Sequence, residues 1–92
     1  MSIIVMKFGG TSVADIKCIK NVAAKVANQF QENKKIVVVV SAMSGVTNNL
    51  IKLVKNTSDT PSNSEYDTAL STGEQVTSAL LVIALEKLYV KA

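Results

Sequence analysis

The sequence predicts an α/β fold, an open and mainly parallel sheet flanked by helices, laid out as βαβα followed by a helix-rich segment. Three observations predict it. Residues 3–8 form a short apolar run carrying one lysine, and residues 36–40, Ile-Val-Val-Val-Val, are five β-branched aliphatics in a row. Between them, apolar residues recur at helical spacing. A strand, a helix and a second strand over this length make a right-handed βαβ unit.

The elements follow in order. Residues 3–8 read as a strand covered on both faces, with Ile3, Ile4 and Val5 β-branched. Residues 14–32 read as a helix with Ile16, Ile19, Val22, Ala23, Val26, Ala27 and Phe30 inward and Lys17, Lys20 and Lys25 outward. Ser12 with Asp15 fits a capping-box-like start, and Glu32-Asn33-Lys34-Lys35 a closing polar turn. Residues 36–40 read as a central parallel strand. A helix over about 46–56 follows, with Val46, Leu50, Leu53 and Val54 inward. Thr57 to Ser64, with the single proline, reads as a surface loop, and Tyr66 to Leu70 as a short helical turn. Ser71-Thr72-Gly73-Glu74 then opens a last helix over about 73–90, whose stretch Ala79 to Leu85 is apolar nearly all round and wants cover on most sides. No third strand follows, whereas a sheet usually has about five or six. The expectation is the first part of a larger α/β domain, or a subunit completed by another chain.

Composition removes several function classes. Ninety-two residues are one domain at most, and 48% apolar with 18% charged residues suits a packed core. The net charge is +3, the ten basic residues are all lysines spread along the chain, and Phe8, Phe30, Tyr66 and Tyr89 lie far apart. A nucleic-acid surface wants a basic patch with stacking aromatics, so no nucleic-acid partner is expected. Cys18 stands alone and there is no histidine, which leaves no internal disulfide and no zinc-type ligand set. Met1-Ser2 runs into a strand without a basic lead, and the run Ala79 to Leu85 is far short of the ~20 residues that span a bilayer. A cytoplasmic protein without a membrane partner is expected.

Three turns carry candidate chemistry: Lys7 to Ser12, Ser41 to Asn48 and Ser71 to Glu74. The first two follow strands and therefore lie on one edge of a parallel sheet, where open α/β sheets bind ligands. A Gly-Gly pair lets backbone approach a ligand, and helix N-termini hold anions. From the residues alone each feature has a second reading. Lys7 is also a strand-end lysine reaching water, and Gly9-Gly10 also an ordinary turn. Ser41 and Thr47 are also local caps, as are Thr11 and Ser12. Ser71-x-x-Glu74 has the spacing of a capping box.

Val5-Met6-Lys7-Phe8-Gly9-Gly10-Thr11-Ser12-Val13 resembles the signature of the aspartokinase family. Val38-Val39-Val40-Ser41-Ala42-Met43-Ser44-Gly45-Val46-Thr47-Asn48 is similar to that family's second block, and Ser71-Thr72-Gly73-Glu74 to its third. A lone Lys-x-Gly-Gly would fit other amino-acid kinases, such as acetylglutamate and uridylate kinases; three blocks in order are specific. The GxxxxGK[ST] pattern of P-loop enzymes and the GxGxxG dinucleotide fingerprint are absent.

The resemblance implies an amino-acid-kinase-type fold, with residues 1–92 a partial catalytic domain, its N-terminal portion, lacking ACT regulatory domains. It implies ATP-dependent phosphorylation of the side-chain carboxylate of L-aspartate to 4-phospho-L-aspartate, the first step toward lysine, threonine and methionine. Lys7 would be the catalytic cation, and Gly9, Gly10, Thr11 and Ser12, with Lys7, would hold the ATP phosphates. Ser41, Thr47 and Glu74 would contact aspartate, Glu74 through its ammonium group. Mg2+ would arrive through the nucleotide, with no residue as its ligand. Aspartate's carboxylate is already a nucleophile, so no general base is required. The segments missing from the family pattern imply little or no activity for this chain alone. A non-catalytic piece or accessory subunit that needs a partner chain is the alternative, with oligomerisation or association through the apolar last helix.

Overall fold

A computed structural model describes residues 2–30 and 34–92. The order is β1 (Ser2–Phe8), a 3-10 turn (Gly10–Val13), α1 (Ile16–Gln29), β2 (Lys34–Val40), α2 (Val46–Thr57) and α3 (Asn63–Lys87). The strands pair in parallel, from Ser2 against Lys34 to Phe8 against Val40, as the βαβ pattern predicts.

The sheet is covered on one face, not two. Met6, Phe8, Ile36, Val38 and Val40 pack against a core of Val13, Ile19, Val22, Ala23, Val26, Leu81 and Leu85. The alternate residues Ile3, Val5, Val37 and Val39 are 45–68% exposed. The period of two in a strand forces this division: cover from α1 and α3 reaches only every second side chain.

α1 begins at Ile16 rather than residue 14. Asp15 has extended backbone and its carboxylate accepts the Cys18 amide at 2.9 Å, so Asp15 itself is the cap and Ser12 lies back in the 3-10 turn. Phe30, expected inward, is the C-cap residue and is half exposed. The polar turn expected from Glu32 lies partly outside the described residues, and Lys34 and Lys35 already belong to β2. In α2 the row Val46, Leu50, Val54 is half-buried, but Leu53 is exposed. That helix buries no residue fully, so its contact with α3 is one narrow row.

The largest departure is α3. Residues 63–87 form one helix, so the short turn at 66–70 and the helix start at 73 are both parts of its interior. Ser71 is not a cap: its hydroxyl donates to the Thr68 carbonyl at 2.8 Å and accepts from Gln75 Nε2 at 3.3 Å. The loop ends instead at Ser62, whose carbonyl accepts the Tyr66 amide. Along α3, Gly73, Thr77, Leu81 and Leu85 recur every fourth residue as a buried stripe, and the Thr77 hydroxyl is satisfied by the Gly73 carbonyl at 3.2 Å. Val76 and Ile83 remain exposed, so the expected cover on most sides is cover on one. By length and composition α3 could cross a membrane; here its stripe is spent on packing. The helix closes at Lys87, short of residue 90, by a Schellman arrangement: Val90 donates to the Leu85 carbonyl and Tyr89 to that of Glu86, both at 3.0 Å. Tyr89 occupies the left-handed position at φ 62°, where glycine is preferred.

Two outcomes follow from these helix ends. Tyr89→Gly relieves the left-handed side chain, which is 98% exposed, and is expected to raise stability by about 0.5–1 kcal/mol in urea denaturation. The Cys18 amide holds the Asp15 carboxyl below its ordinary 3.8. The cap's contribution is therefore complete above that value and is lost as pH falls through the lower folded-state value. Thermal melts should show Asp15→Asn missing this acid-side loss, and Asp15→Ala melting below wild type at pH 7.

Candidate functional site

The site grows from the two turns that leave the strands. After Phe8 the chain passes through extended Gly9 to Gly10 at φ +56°, a left-handed conformation with open space where a Cβ would stand. The 3-10 turn then closes with Ser12 donating to the Gly9 carbonyl at 3.1 Å, and buries Val13 in the core. The second turn is tied to the first by two backbone bonds, Ser41 N to the Phe8 carbonyl and Ser44 N to the Ala14 carbonyl, both 3.2 Å. Gly45 at φ +78° begins α2 without any side-chain cap.

Between these turns lies a cleft of about 350 Å3 lined by Gly10, Thr11, Ala14 and residues 41–45, with Thr47 and Asn48. Of the residues singled out in the sequence, it brings together Gly10, Thr11, Ser41 and Thr47. Gly9 flanks it, since a Cβ there would meet Ser41 Oγ at 3.4 Å. Lys7, Ser12 and Glu74 do not line it. Lys7 is on the exposed side of β1 with Ile3 and Val5, and Glu74 is exposed on α3. Ser44, Gly45 and Asn48 also line the cleft; they lie in the Ser41 to Asn48 turn expected to carry chemistry but were given no individual role. The signal was present in the small and hydroxylated run before a helix start.

The two helix starts differ electrostatically. At α1 the Asp15 carboxylate occupies the Cys18 amide, so that end is already neutralised by the chain's own anion. At α2 no side chain caps the first turn, although the Val46 amide donates to the Met43 carbonyl at 3.2 Å, and Ser41 and Thr47 line the same cleft. This end suits an incoming carboxylate or phosphate. The third turn offers no such end, because Ser71 to Glu74 lies inside a continuous helix. A groove of about 410 Å3 between α1 and α3 is lined by Ile16, Ile19, Ala23, Leu80, Ile83 and Ala84 with Lys20 and Lys87 at its edge; it lacks the convergent polar groups of a catalytic site.

The backbone at Gly45 is testable. Nothing stands within 4 Å of a Cβ there, so Gly45→Ala meets only backbone strain. It is expected to cost about 1–2 kcal/mol in urea denaturation, and Gly45→Asn distinctly less, because asparagine visits the left-handed region more readily.

Comparison with known proteins bears on the family and the fold. The chain is 54% identical over 87 residues to an aspartate kinase of Pseudomonas putida, covering 95% of this chain and 21% of that protein. It is 50% identical over 92 residues to an aspartokinase of Geobacillus stearothermophilus, covering all of this chain and 23% of that one. The crystal structure of an aspartate kinase from Synechocystis superposes with a TM-score of 0.87 at 46% identity, over 92% of this chain and 15% of that chain. The chain thus spans 21–23% of the length of the Pseudomonas and Geobacillus relatives and 15% of the Synechocystis chain. The model of the amino acid kinase family matches residues 2–92, and the chain belongs to that family.

Proposed function

We propose that this chain is the N-terminal part of an aspartate kinase, which transfers a phosphoryl group from ATP to the side-chain carboxylate of L-aspartate to give 4-phospho-L-aspartate, the first step toward lysine, threonine and methionine. One observation carries the reading. Parallel pairing brings the Gly9–Ser12 and Ser41–Asn48 turns to one sheet edge around a cleft that Thr11, Ser41, Ser44 and Thr47 help to line, next to a helix start with no side-chain cap. Two anionic substrates need such an edge.

The chemistry asks for holding, orienting and neutralising more than for acid-base work. The Ser41 and Thr47 hydroxyls and the Thr47 and Asn48 amides at the start of α2 take the substrate's carboxylates. Glu74 offers its ammonium group a counter-charge. Gly9 and Gly10 present amides to the nucleotide phosphates with Thr11 and Ser12 beside them, and Lys7 adds the positive charge that the transferring phosphate requires. ATP when bound supplies the phosphoryl group, with Mg2+ on its phosphates. Among the described residues no three His, Cys, Asp or Glu side chains converge to hold a metal by themselves.

One lysine and a few amides are a small counterweight to a triphosphate meeting a carboxylate, so the chain alone should turn over little. The exposed sheet face and the exposed Val76 and Ile83 of α3 support work in association, with further family sequence or another copy supplying cover. We infer a cytoplasmic setting, where ATP and free aspartate are at hand.

Amide spectra of the 15N-labelled chain test the reading. L-aspartate should shift Ser44 to Asn48, and Mg-ATP should shift Gly9 to Ser12. Lys7→Ala should weaken the Mg-ATP response about tenfold or more, the scale of one charge-assisted hydrogen bond. A chain that answers neither ligand sinks the proposal and leaves the non-catalytic accessory piece standing.

A further inference from the structure

We infer that Gly73 is a positioning residue, the spacer that fixes α3 against the Ser41–Thr47 turn and thereby sets the geometry of the aspartate subsite; this rests on the aspartate reading above. A glycine inside a long helix is unfavourable relative to alanine, so the position calls for a reason. Gly73 is buried in the middle of the 25-residue α3. A Cβ built on it would stand 3.0 Å from Ala42 Cβ, 3.1 Å from Val46 Cγ1 and 3.5 Å from Leu50 Cδ1. The first two distances are tighter than ordinary carbon contacts, which lie at about 3.5–4.0 Å. The helix and the turn therefore meet so closely that any side chain at 73 makes its neighbours give by a few tenths of an ångström.

What makes this contact more than packing is its neighbours in the chain. Ser41 precedes Ala42, Thr47 follows Val46, and Glu74 follows Gly73. Each of the three residues assigned to aspartate is one peptide unit from an atom in the contact. A methyl group added at residue 73 must push α3 and the turn apart by a few tenths of an ångström, and Glu74 then moves away from Ser41 and Thr47. The Gly9–Ser12 turn has no part in this contact, so the nucleotide subsite should be spared.

The test compares Gly73→Ala, Ala42→Gly and the double variant in the full 92-residue chain, by amide spectra titrated separately with L-aspartate and Mg-ATP. In Gly73→Ala the amides of residues 42–50 should shift, and aspartate affinity should fall about tenfold, as sub-ångström to ångström misplacement of binding groups does. Mg-ATP affinity should stay within about twofold, a split that general destabilisation would not produce. The double variant should recover part of the aspartate affinity, because the 3.0 Å approach to Ala42 Cβ is removed while the 3.1 Å approach to Val46 Cγ1 remains. Equal aspartate affinity in wild type and Gly73→Ala, or equal loss for both ligands, overturns the inference and leaves the substrate reading intact. If the wild type binds no aspartate, the substrate reading fails. The spacer is then judged on the 42–50 amides alone, and spectra that superimpose on wild type overturn it. If Gly73→Ala does not fold, Val46→Ala is added to the double variant so that both tight neighbours are removed: recovery of folding then supports the contact, and no recovery overturns it.

Discussion

Everything at the candidate site depends on two strands running the same way. Because β1 and β2 are parallel, both leave the sheet at one edge, and the residues after Phe8 and after Val40 become spatial neighbours. An antiparallel pair would have sent those turns to opposite ends. The ladder continues one step beyond the strands, through the Ser41 amide on the Phe8 carbonyl, and the Ser44 amide on the Ala14 carbonyl completes the join. A short hydrogen-bonded seam thus converts sequence blocks about thirty residues apart into one cleft.

Much of this was legible in the residues. Five consecutive β-branched aliphatics at 36–40 have little choice but a strand, and the 3.6-residue stripe Ile19, Val22, Ala23, Val26 a helix. The end of α3 and its beginning were harder. Ser71-x-x-Glu74 has the spacing of a capping box, and local sequence does not reveal that the serine hydroxyl turns back to Thr68 within an existing helix. Propensity also misleads at Gly73, where a residue that disfavours helix sits at mid-helix with Ala42 and Val46 packed closer than a side chain would ordinarily meet them. Both errors have one cause: tertiary contact decides, and a single chain pattern does not record it.

The site was legible in a similar proportion. Gly10, Thr11, Ser41 and Thr47 converge, because turn residues after parallel strands must. Lys7 and Glu74 stand outside the cleft, one on the open strand face and one on the exposed side of α3. Both are long side chains that act at a distance from their backbone, so strand and helix patterns fix where they are rooted but not where their charges come to rest. The contrast between the helix starts was also invisible in advance. Both have polar residues at their beginnings, yet only α1 closes on its own carboxylate.

The uniformity of β2 carries a consequence for fidelity. In most half-covered strands, alternation of apolar and polar residues fixes the register, because a slip by one residue would expose the apolar set. Ile36 to Val40 is aliphatic at every position, so a strand slipped by one would still turn in Val37 and Val39, with Lys35 or Ser41 in the third place. Burial separates the two by one end residue rather than by the whole face. The choice falls to the strand's ends, above all to the bonds from Ser41 and Ser44 that a slip would break. The turns that shape the cleft are therefore also the alignment marks of the sheet, and a lesion there would be read as misfolding before it was read as lost binding.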